Sequence, residues 1–373
     1  MPTAPRLMYA SEFDRSGYAV AGRRYLKALA AVGTPVAWRP LLNNDINGRI
    51  PTDKPDLAPL WMQHLPAEAC ADAPTIWHSM PMSWAEVREQ YPQGTFIGQT
   101  VWEADPIPQR WHAELAPADE IWVPTEWNAD VMRRSGITRP VHVVPHPVDF
   151  AAPEPPPCSI PSDRTVFLNI SAWEWRKRPD LALHAYLQAF TASDPVVLIV
   201  KTGPRTVSWH TRSSTETHTW WQVMNIVRQY PQPAEVVLIT DTWSDSQIAG
   251  LIAAADCFVS LTAVEGWGLG AFDAAAAGKP VIITGYGGQL EWLGTGCPGL
   301  VPFTMVPVDH PDQSMFEAGM QWALADTRAA AEMMREFVDG SGSLRAWASN
   351  AAGRLREQYS LKRVGKQMTE LTT

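Results

Sequence analysis

The sequence predicts an α/β protein built of two successive doubly wound domains, each a parallel sheet covered by helices. Three observations carry that prediction. Short β-branched runs alternate with amphipathic stretches of about ten to fifteen residues, as repeated strand–helix–strand units require. The chain has 373 residues, and at roughly 150 residues per domain this is length for two cores. Between Phe150 and Arg164 runs a proline-dense segment that disfavours helix and sheet and favours a stiff connection; the alternation restarts after it. The expected domains are 1–155 and 156–340, followed by C-terminal helices over 341–373.

In the first half, strands are expected at 6–11, 35–39, 75–78, 95–101, 120–124 and 141–145, where apolar and β-branched residues cluster between turn formers. Helices at 18–32, 108–115 and 126–135 fit between them, the last closed by Gly136. The stretch 41–74, rich in Asn, Asp and Pro, shows no clear period and is expected to be mostly irregular. In the second half, strands are expected at 165–170, 196–201, 235–240, 257–261 and 280–284, with helices at 179–190, 216–229, 245–254 and 269–277. Helices continue to Arg356, and a last one follows Tyr359, with Leu361 and Val364 as a short apolar face.

Composition narrows the function. Lys and Arg number 30 against 39 Asp and Glu, for a net charge of -9, which argues against a nucleic-acid binder because phosphate neutralisation needs a basic face. Cys70, Cys158, Cys257 and Cys297 lie far apart with no companion His, so neither a zinc site nor a disulfide framework is indicated. Residues 1–10 lack an apolar core, and the apolar stretch 249–264 is broken by Asp256, so a signal peptide and a membrane span are not expected and a cytoplasmic location is. Six basic residues against one acid between Arg345 and Lys366, with Arg23, Arg24 and Lys27 on the first helix, allow at most weak peripheral membrane contact.

The segment richest in chemistry runs from Glu265 to Asp273, Glu-Gly-Trp-Gly-Leu-Gly-Ala-Phe-Asp. Gly266, Gly268 and Gly270 stand between a buried strand and a helix start, where backbone N–H groups and the helix dipole converge on a place for a diphosphate. Glu265 and Asp273 flank it as acceptors for sugar hydroxyls; alternatively Asp273 complements the dipole and Glu265 is a solvated loop residue. Arg176, Lys177 and Arg178 precede Pro179, the expected first residue of a helix. Cations there oppose the dipole, so an anion bound among them explains the cluster better than a solvated basic turn.

The run from Ala255 to Leu269, with Ala277-Gly-Lys-Pro-Val-Ile282, resembles the hallmark of retaining glycosyltransferases of family 4. Ala118 to Asn128, Val143-Val-Pro-His-Pro-Val-Asp149 and Arg176-Lys-Arg-Pro-Asp-Leu181 extend the likeness in the family's order over most of the chain. The resemblance implies the GT-B architecture: two facing Rossmann-like domains, the first for the acceptor and the second for a nucleotide-sugar donor, with the C-terminal helix crossing back to the first. It implies metal-independent transfer of a hexose from a UDP- or GDP-linked donor, glucose or mannose first among them. The acceptor hydroxyl belongs to a glycan, lipid-linked, protein or small-molecule partner that the sequence does not single out. Neither a D-x-D pair nor a His cluster is visible, so no metal and no other cofactor is expected.

Carried over residue by residue, Glu265 holds the donor sugar, Asp273 the ribose, and the backbone of Gly266, Trp267, Gly268, Leu269 and Gly270 the sugar and phosphates. The chain departs from the family in having Asp at 273, where Glu is usual, and Gly270, where Pro is frequent. Lys177 aligns with the lysine that holds the diphosphate; the usual arginine partner falls on Ala172, so Arg176 is expected to substitute. Lys201, at a strand end, is either a second phosphate ligand or a lysine snorkelling to water. Thr240, Asp241 and Trp243 fall where the resemblance places the base, Trp243 either stacking on it or packing. In the first domain Gly17 and Tyr18 open the first helix, and His78 resembles the family's histidine near the reacting sugar unless it is a structural His. Glu103 either binds acceptor hydroxyls or caps the turn at Asp105 and Pro106. The catalytic set is thus His78, Lys177 and Glu265, with Lys177 expected to be exposed when no ligand is bound and its replacement to spare the fold.

Overall fold

The computed structural model describes residues 7–14, 16–41, 73–205, 218–309, 315–340 and 342–373. The expected strand start at Arg6, most of the irregular stretch 41–74 and the helix start at 216 lie outside them. Two compact units result, one of residues 1–149 with 357–373, the other of residues 150–356.

The first unit runs β1 (Leu7–Glu12), α1 (Gly17–Ala31), β2 (Val36–Leu41), β3 (Thr75–His78), α2 (Trp84–Gln90), β4 (Phe96–Gln99), α3 (Trp111–Leu115), β5 (Glu120–Val123), α4 (Glu126–Arg134) and β6 (Val141–Val143). Its six strands are parallel in the order β2-β1-β3-β4-β5-β6. The order reverses beside β1, so chain leaving β1 and β3 at their carboxyl ends diverges and opens a crevice position. Ser16 caps α1 by accepting from the Ala19 N–H at 3.2 Å, and Thr125 caps α4 through the Asn128 N–H at 3.2 Å. The helix expected from Pro108 starts at Trp111, because Pro106 and Pro108 hold the preceding chain in turns.

The second unit runs β7 (Thr165–Ile170), α5 (Pro179–Ala189), β8 (Val196–Lys201), α6 (Thr219–Val227), β9 (Glu235–Ile239), α7 (Asp245–Ala254), β10 (Cys257–Ser260), α8 (Leu269–Ala276), β11 (Val281–Thr284), α9 (Leu290–Leu293), β12 (Leu300–Val301), β13 (Phe303–Pro307), β14 (Gln321–Ala325), α10 (Thr327–Val338) and α11 (Gly342–Gln358). Its parallel sheet has the order β12-β11-β10-β7-β8-β9, so the switch point falls between β7 and β10. Asn169 ties these strands by donating to the Val259 carbonyl at 2.8 Å. Phe167, Tyr186, Phe190 and Phe337 fill the core on one face.

The expected run of helices to Arg356 is corrected by an antiparallel pair, β13 with β14; Pro302 and Pro307 break any helical period there. The proline segment itself packs on the second unit: the Glu154 N–H donates to the Ser246 carbonyl at 3.0 Å, and a Cβ at Gly250 would lie 1.7 Å from the Glu154 carbonyl oxygen. That close approach puts the division at Asp149 and Phe150. α11 stays on the second unit, burying Leu344, Ala348, Ala351 and Leu355.

The last helix, α12 (Leu361–Leu371), returns to the first unit. Val364 and Met368 enter the core beside Tyr25 and Leu29, with Leu361 packed against it. Gly365 sits where a Cβ would fall 2.0 Å from the Ala28 carbonyl oxygen, so α12 crosses α1 at a distance only glycine allows. Gln367 donates to the Val143 carbonyl at 2.7 Å, and the Val148 N–H to the Tyr359 carbonyl at 2.7 Å. Among the described residues no helix is long and apolar enough to cross a membrane.

Candidate active site

At the switch point of the second unit, β7 and β10 each release a loop at the carboxyl edge of the sheet. The first loop turns through Arg176 and Lys177 to Arg178, whose backbone is left-handed (φ 45°), an uncommon state for a residue with a Cβ. It places Pro179 at the first position of α5. The Arg178 guanidinium bonds the Asp180 carboxylate at 3.0 and 2.8 Å, which offsets one of the three cations opposing the α5 dipole.

The second loop carries Glu265, and the two are bound together. The Ala263 N–H donates to the Arg176 carbonyl at 2.8 Å, and the Arg176 guanidinium donates to the Val264 carbonyl at 3.1 Å and to the Glu174 carboxylate at 3.1 Å. Lys177 Nζ lies 2.7 Å from both carboxylate oxygens of Glu265, and Arg176 Nη1 lies 3.5 Å from one of them. The Glu265 side chain is only 8% exposed. Burial alone pushes its carboxyl up, but Lys177 and then Arg176 outweigh this and hold it below the usual carboxylate range. The solvated-loop alternative for Glu265 therefore fails, and the anion held among the cations is the protein's own carboxylate. Lys177, 22% exposed and committed to Glu265, is not the freely exposed side chain expected.

Glycines let the surrounding backbone close in. Gly268, with φ +82°, caps α8 in a left-handed state. The Gly288 N–H donates to the Glu265 carbonyl at 2.7 Å, and a Cβ at Gly287 would lie 2.8 Å from that carbonyl oxygen, so the loop after β11 seats the backbone of Glu265. At Gly270 a Cβ would lie 3.2 Å from the Phe258 ring and 3.3 Å from the Ile170 carbonyl oxygen, which brings α8 close onto the ends of β7 and β10. Trp267 turns its ring inward, edge-on to Phe272 with centroids 4.9 Å apart, and its carbonyl accepts from the Trp292 indole at 2.7 Å. Gly266 is buried in the same loop and Leu269 is half-buried at the helix start. Asp273 lies past the first turn of α8 and is half-buried, so dipole complementation does not explain it.

Lys201 ends β8 buried, not snorkelling to water. Its ammonium donates to the Thr202 carbonyl at 3.3 Å and lies 5.8 Å from the centre of the Trp243 ring. Burial lowers its pKa, opposed by Asp241. Thr240 is half-buried and Asp241 exposed where the chain leaves β9.

In the first unit, Gly17 is exposed at the start of α1. The Tyr18 hydroxyl lies 3.0 Å from Thr100 Oγ1 and 3.2 Å from the Val101 carbonyl oxygen. Glu103 is half-buried beyond β4, which ends at Gln99 instead of running to residue 101; its charge acts on the Tyr18 hydroxyl. Asp105 of the neighbouring turn pairs with Arg134 at 2.8 Å. His78 ends β3 buried, with Nδ1 2.9 Å from the Tyr9 hydroxyl, and burial pushes its imidazole down to about 3. The sequence reading missed Tyr9, Gln99, Tyr25 and His146, which pack around it; the signal was a Tyr within the apolar run of β1 and the His of Val143–Asp149. It also missed Glu174, two residues before Arg176.

His146 is likewise buried, with its pKa held well below the ordinary value by desolvation, then by His78 and Arg24. Above about pH 6.5 both imidazoles are neutral in folded and unfolded chain; below it the unfolded chain takes up protons that the native state refuses. Unfolding free energy should therefore fall from pH 6.5 toward 5, approaching ~1.4 kcal/mol per pH unit for each histidine. Chemical denaturation at pH 7, 6 and 5 checks this, and a flat profile would mean the native imidazoles are charged.

Among the described residues no group of three or more His, Cys, Asp or Glu is placed to hold a metal ion. Residues 154–338 match the family described as Glycosyl transferases group 1. The chain is similar in structure to sucrose-phosphate synthase from Thermosynechococcus elongatus, with a TM-score of 0.68, 16% identity and 98% of each chain covered. It is similar also to Anabaena HepE in complex with UDP and glucose, at 0.65 and 12% over 98% of each chain. A third likeness is to an E. coli trehalose-6-phosphate structure bound with UDP-2-fluoro glucose, at 0.62 and 11% over 98% of each chain. At these identities the likenesses establish the fold, and no curated protein sequence matches the chain. The parallel sheets are those of the GT-B fold, residues 154–338 form a glycosyl transferases group 1 domain, and the chain that carries them is a glycosyltransferase.

Proposed function

We propose that the chain is a retaining hexosyltransferase of family 4 that moves glucose or mannose from a UDP- or GDP-linked donor to an acceptor hydroxyl. The observation that carries this reading is the Glu265 carboxylate held by Lys177 at the switch point of the second sheet, beside the glycine-capped start of α8. A donor entering there exchanges partners with the ion pair: its diphosphate takes Lys177, Arg176 and the N-terminus of α8, and its sugar hydroxyls take Glu265. Lys201 adds positive charge, Asp273 holds the ribose, and Thr240, Asp241 and Trp243 receive the base. Of the two nucleotides UDP is favoured, since two of the similar structures were solved with UDP or a UDP sugar.

In the reaction the acceptor oxygen bonds the anomeric carbon from the face that the diphosphate leaves. The bonding pair goes to the diphosphate oxygen, and the acceptor proton passes to that leaving group. Fixed cations and backbone N–H groups meet the developing charge without reorganising, so this reading calls for no metal ion. His78, Tyr18, Gly17 and Glu103 serve the reacting sugar and the acceptor. A cytoplasmic site of action, with at most peripheral membrane contact, accords with free thiols at Cys158, Cys257 and Cys297. Calorimetric titration tests the reading: saturable binding of UDP or GDP, with little heat from glucose or mannose alone, is expected. Tight binding of the free sugar without the nucleotide would make the chain a sugar-binding module.

A further inference from the structure

The buried polar side chains around His78 form an ordered chain of hydrogen bonds with one self-consistent arrangement of protons. Register puts Tyr9 opposite Ile76 and His78 opposite Gln99, so the two-residue period of the strands aims Tyr9, His78 and Gln99 at one face of the sheet, the face covered by α1. Tyr25, on α1, lies 2.7 Å from the carbonyl oxygen of Val144. A carbonyl only accepts, so the Tyr25 proton is committed to it. The Tyr25 oxygen is then free to accept, and the Gln99 side chain acts on it to lower its pKa against burial, as a facing amide N–H does and a facing carbonyl oxygen would not. That choice fixes the amide: Gln99 Oε1 faces Tyr9, whose hydroxyl donates to it at 3.0 Å. With its one proton spent, the Tyr9 oxygen 2.9 Å from His78 Nδ1 can only accept.

We propose that Tyr25, Gln99 and Tyr9 are positioning residues that fix His78 as the Nδ1–H tautomer, leaving the Nε2 lone pair to accept a hydrogen bond from a hydroxyl of the reacting sugar or the acceptor. Nε2 makes no hydrogen bond among the described residues. Space does not permit the imidazole to be re-seated: a Cβ at Gly22 would already lie 2.7 Å from Ser11 Cβ and 3.6 Å from His78 Nδ1, and the rings of Tyr18 and Tyr25 lie at 5.3 and 5.6 Å between centroids. A neutral imidazole has one donor and one acceptor nitrogen, so the partner of Nδ1 decides what Nε2 can do. The tautomer is a property of the free protein; its use on a hydroxyl rests on the glycosyl-transfer reading.

The experiment is a two-bond 1H–15N correlation on protein labelled at histidine, with the His78 signals identified by their loss in His78→Gln. Wild type should show Nδ1–H at neutral pH. Gln99→Leu removes the acceptor for Tyr9, whose proton then turns to Nδ1 and switches His78 to Nε2–H. Tyr25→Phe keeps the ring, frees the Gln99 amide to turn, and should give a mixture; it serves if Gln99→Leu fails to fold. A wild-type Nε2–H spectrum, or Nδ1–H retained in both variants, overturns the relay. Donor hydrolysis is the second readout: with the tautomer switched it should fall about tenfold, as for the loss of one hydrogen bond, while UDP affinity holds. Unchanged hydrolysis in a variant whose tautomer has switched would remove His78 from the reaction and leave the tautomer assignment standing.

Discussion

Lys177→Ala is expected to weaken UDP or GDP binding roughly ten- to a hundredfold, the worth of one charge-assisted contact of about 1.5 to 3 kcal/mol. It is also expected to destabilise the fold. Glu265 is 8% exposed and Lys177 donates to both its oxygens at 2.7 Å, so removing the amine leaves a carboxylate in the interior whose remaining cation is Arg176 at 3.5 Å. Breaking a buried pair from one side costs about 3 kcal/mol. The sign of the pH dependence follows from the wild-type shift: a carboxyl whose folded pKa is depressed stabilises the native state above its unfolded pKa and loses that contribution as pH falls through the folded value. In Lys177→Ala burial dominates and raises the pKa, so the deficit should be largest near neutral pH and shrink in acid, where Glu265 protonates. Adding Glu265→Gln should recover most of the lost stability but not the nucleotide affinity. Denaturation curves and calorimetry on the single and double variants check both parts; equal stability of wild type and Lys177→Ala would show that the pair opens freely in water.

Glu265→Gln is expected to lower donor turnover by about a hundredfold or more while sparing free UDP or GDP. Its carboxylate is assigned to the transferred sugar, and a sugar held by its hydroxyls keeps the anomeric carbon aligned with the acceptor. The free nucleotide has no such sugar, and in this variant Lys177 no longer has a carboxylate to leave. Asp273→Ala should instead weaken free nucleotide and intact donor alike, because the ribose is common to both. Affinity for UDP and turnover of the donor, measured side by side, separate the two. A dual loss from Glu265→Gln with Asp273→Ala silent would reverse the assignment.

The sheets were legible because parallel strands buried on both faces read as apolar runs, as in Val196–Lys201 and Val281–Thr284. The return of α12 showed in Leu361 and Val364. What escaped was local: β13 and β14 are partly exposed, β13 is bounded by Pro302 and Pro307, and α2 and α9 are too short for a helical period. At the site, the glycine loop and the three cations were visible as types at the right spacing. Their mutual arrangement was not, since Lys177 and Glu265 are 88 residues apart and meet only because β7 and β10 are neighbours. The same holds for Tyr9, His78 and Gln99, whose chemistry depends on register across three strands.

If Lys177 and Glu265 form the seat of a nucleotide-sugar donor, incubation with a panel of nucleotide sugars, followed by mass, reveals it, because slow hydrolysis needs no acceptor. Free hexose and UDP or GDP should be released from one donor of the panel, and more slowly in Glu265→Gln and Lys177→Ala. The hexose should first appear, by NMR, with the anomeric configuration of the donor. Every donor recovered intact, or hydrolysis indifferent to both substitutions, would contradict it.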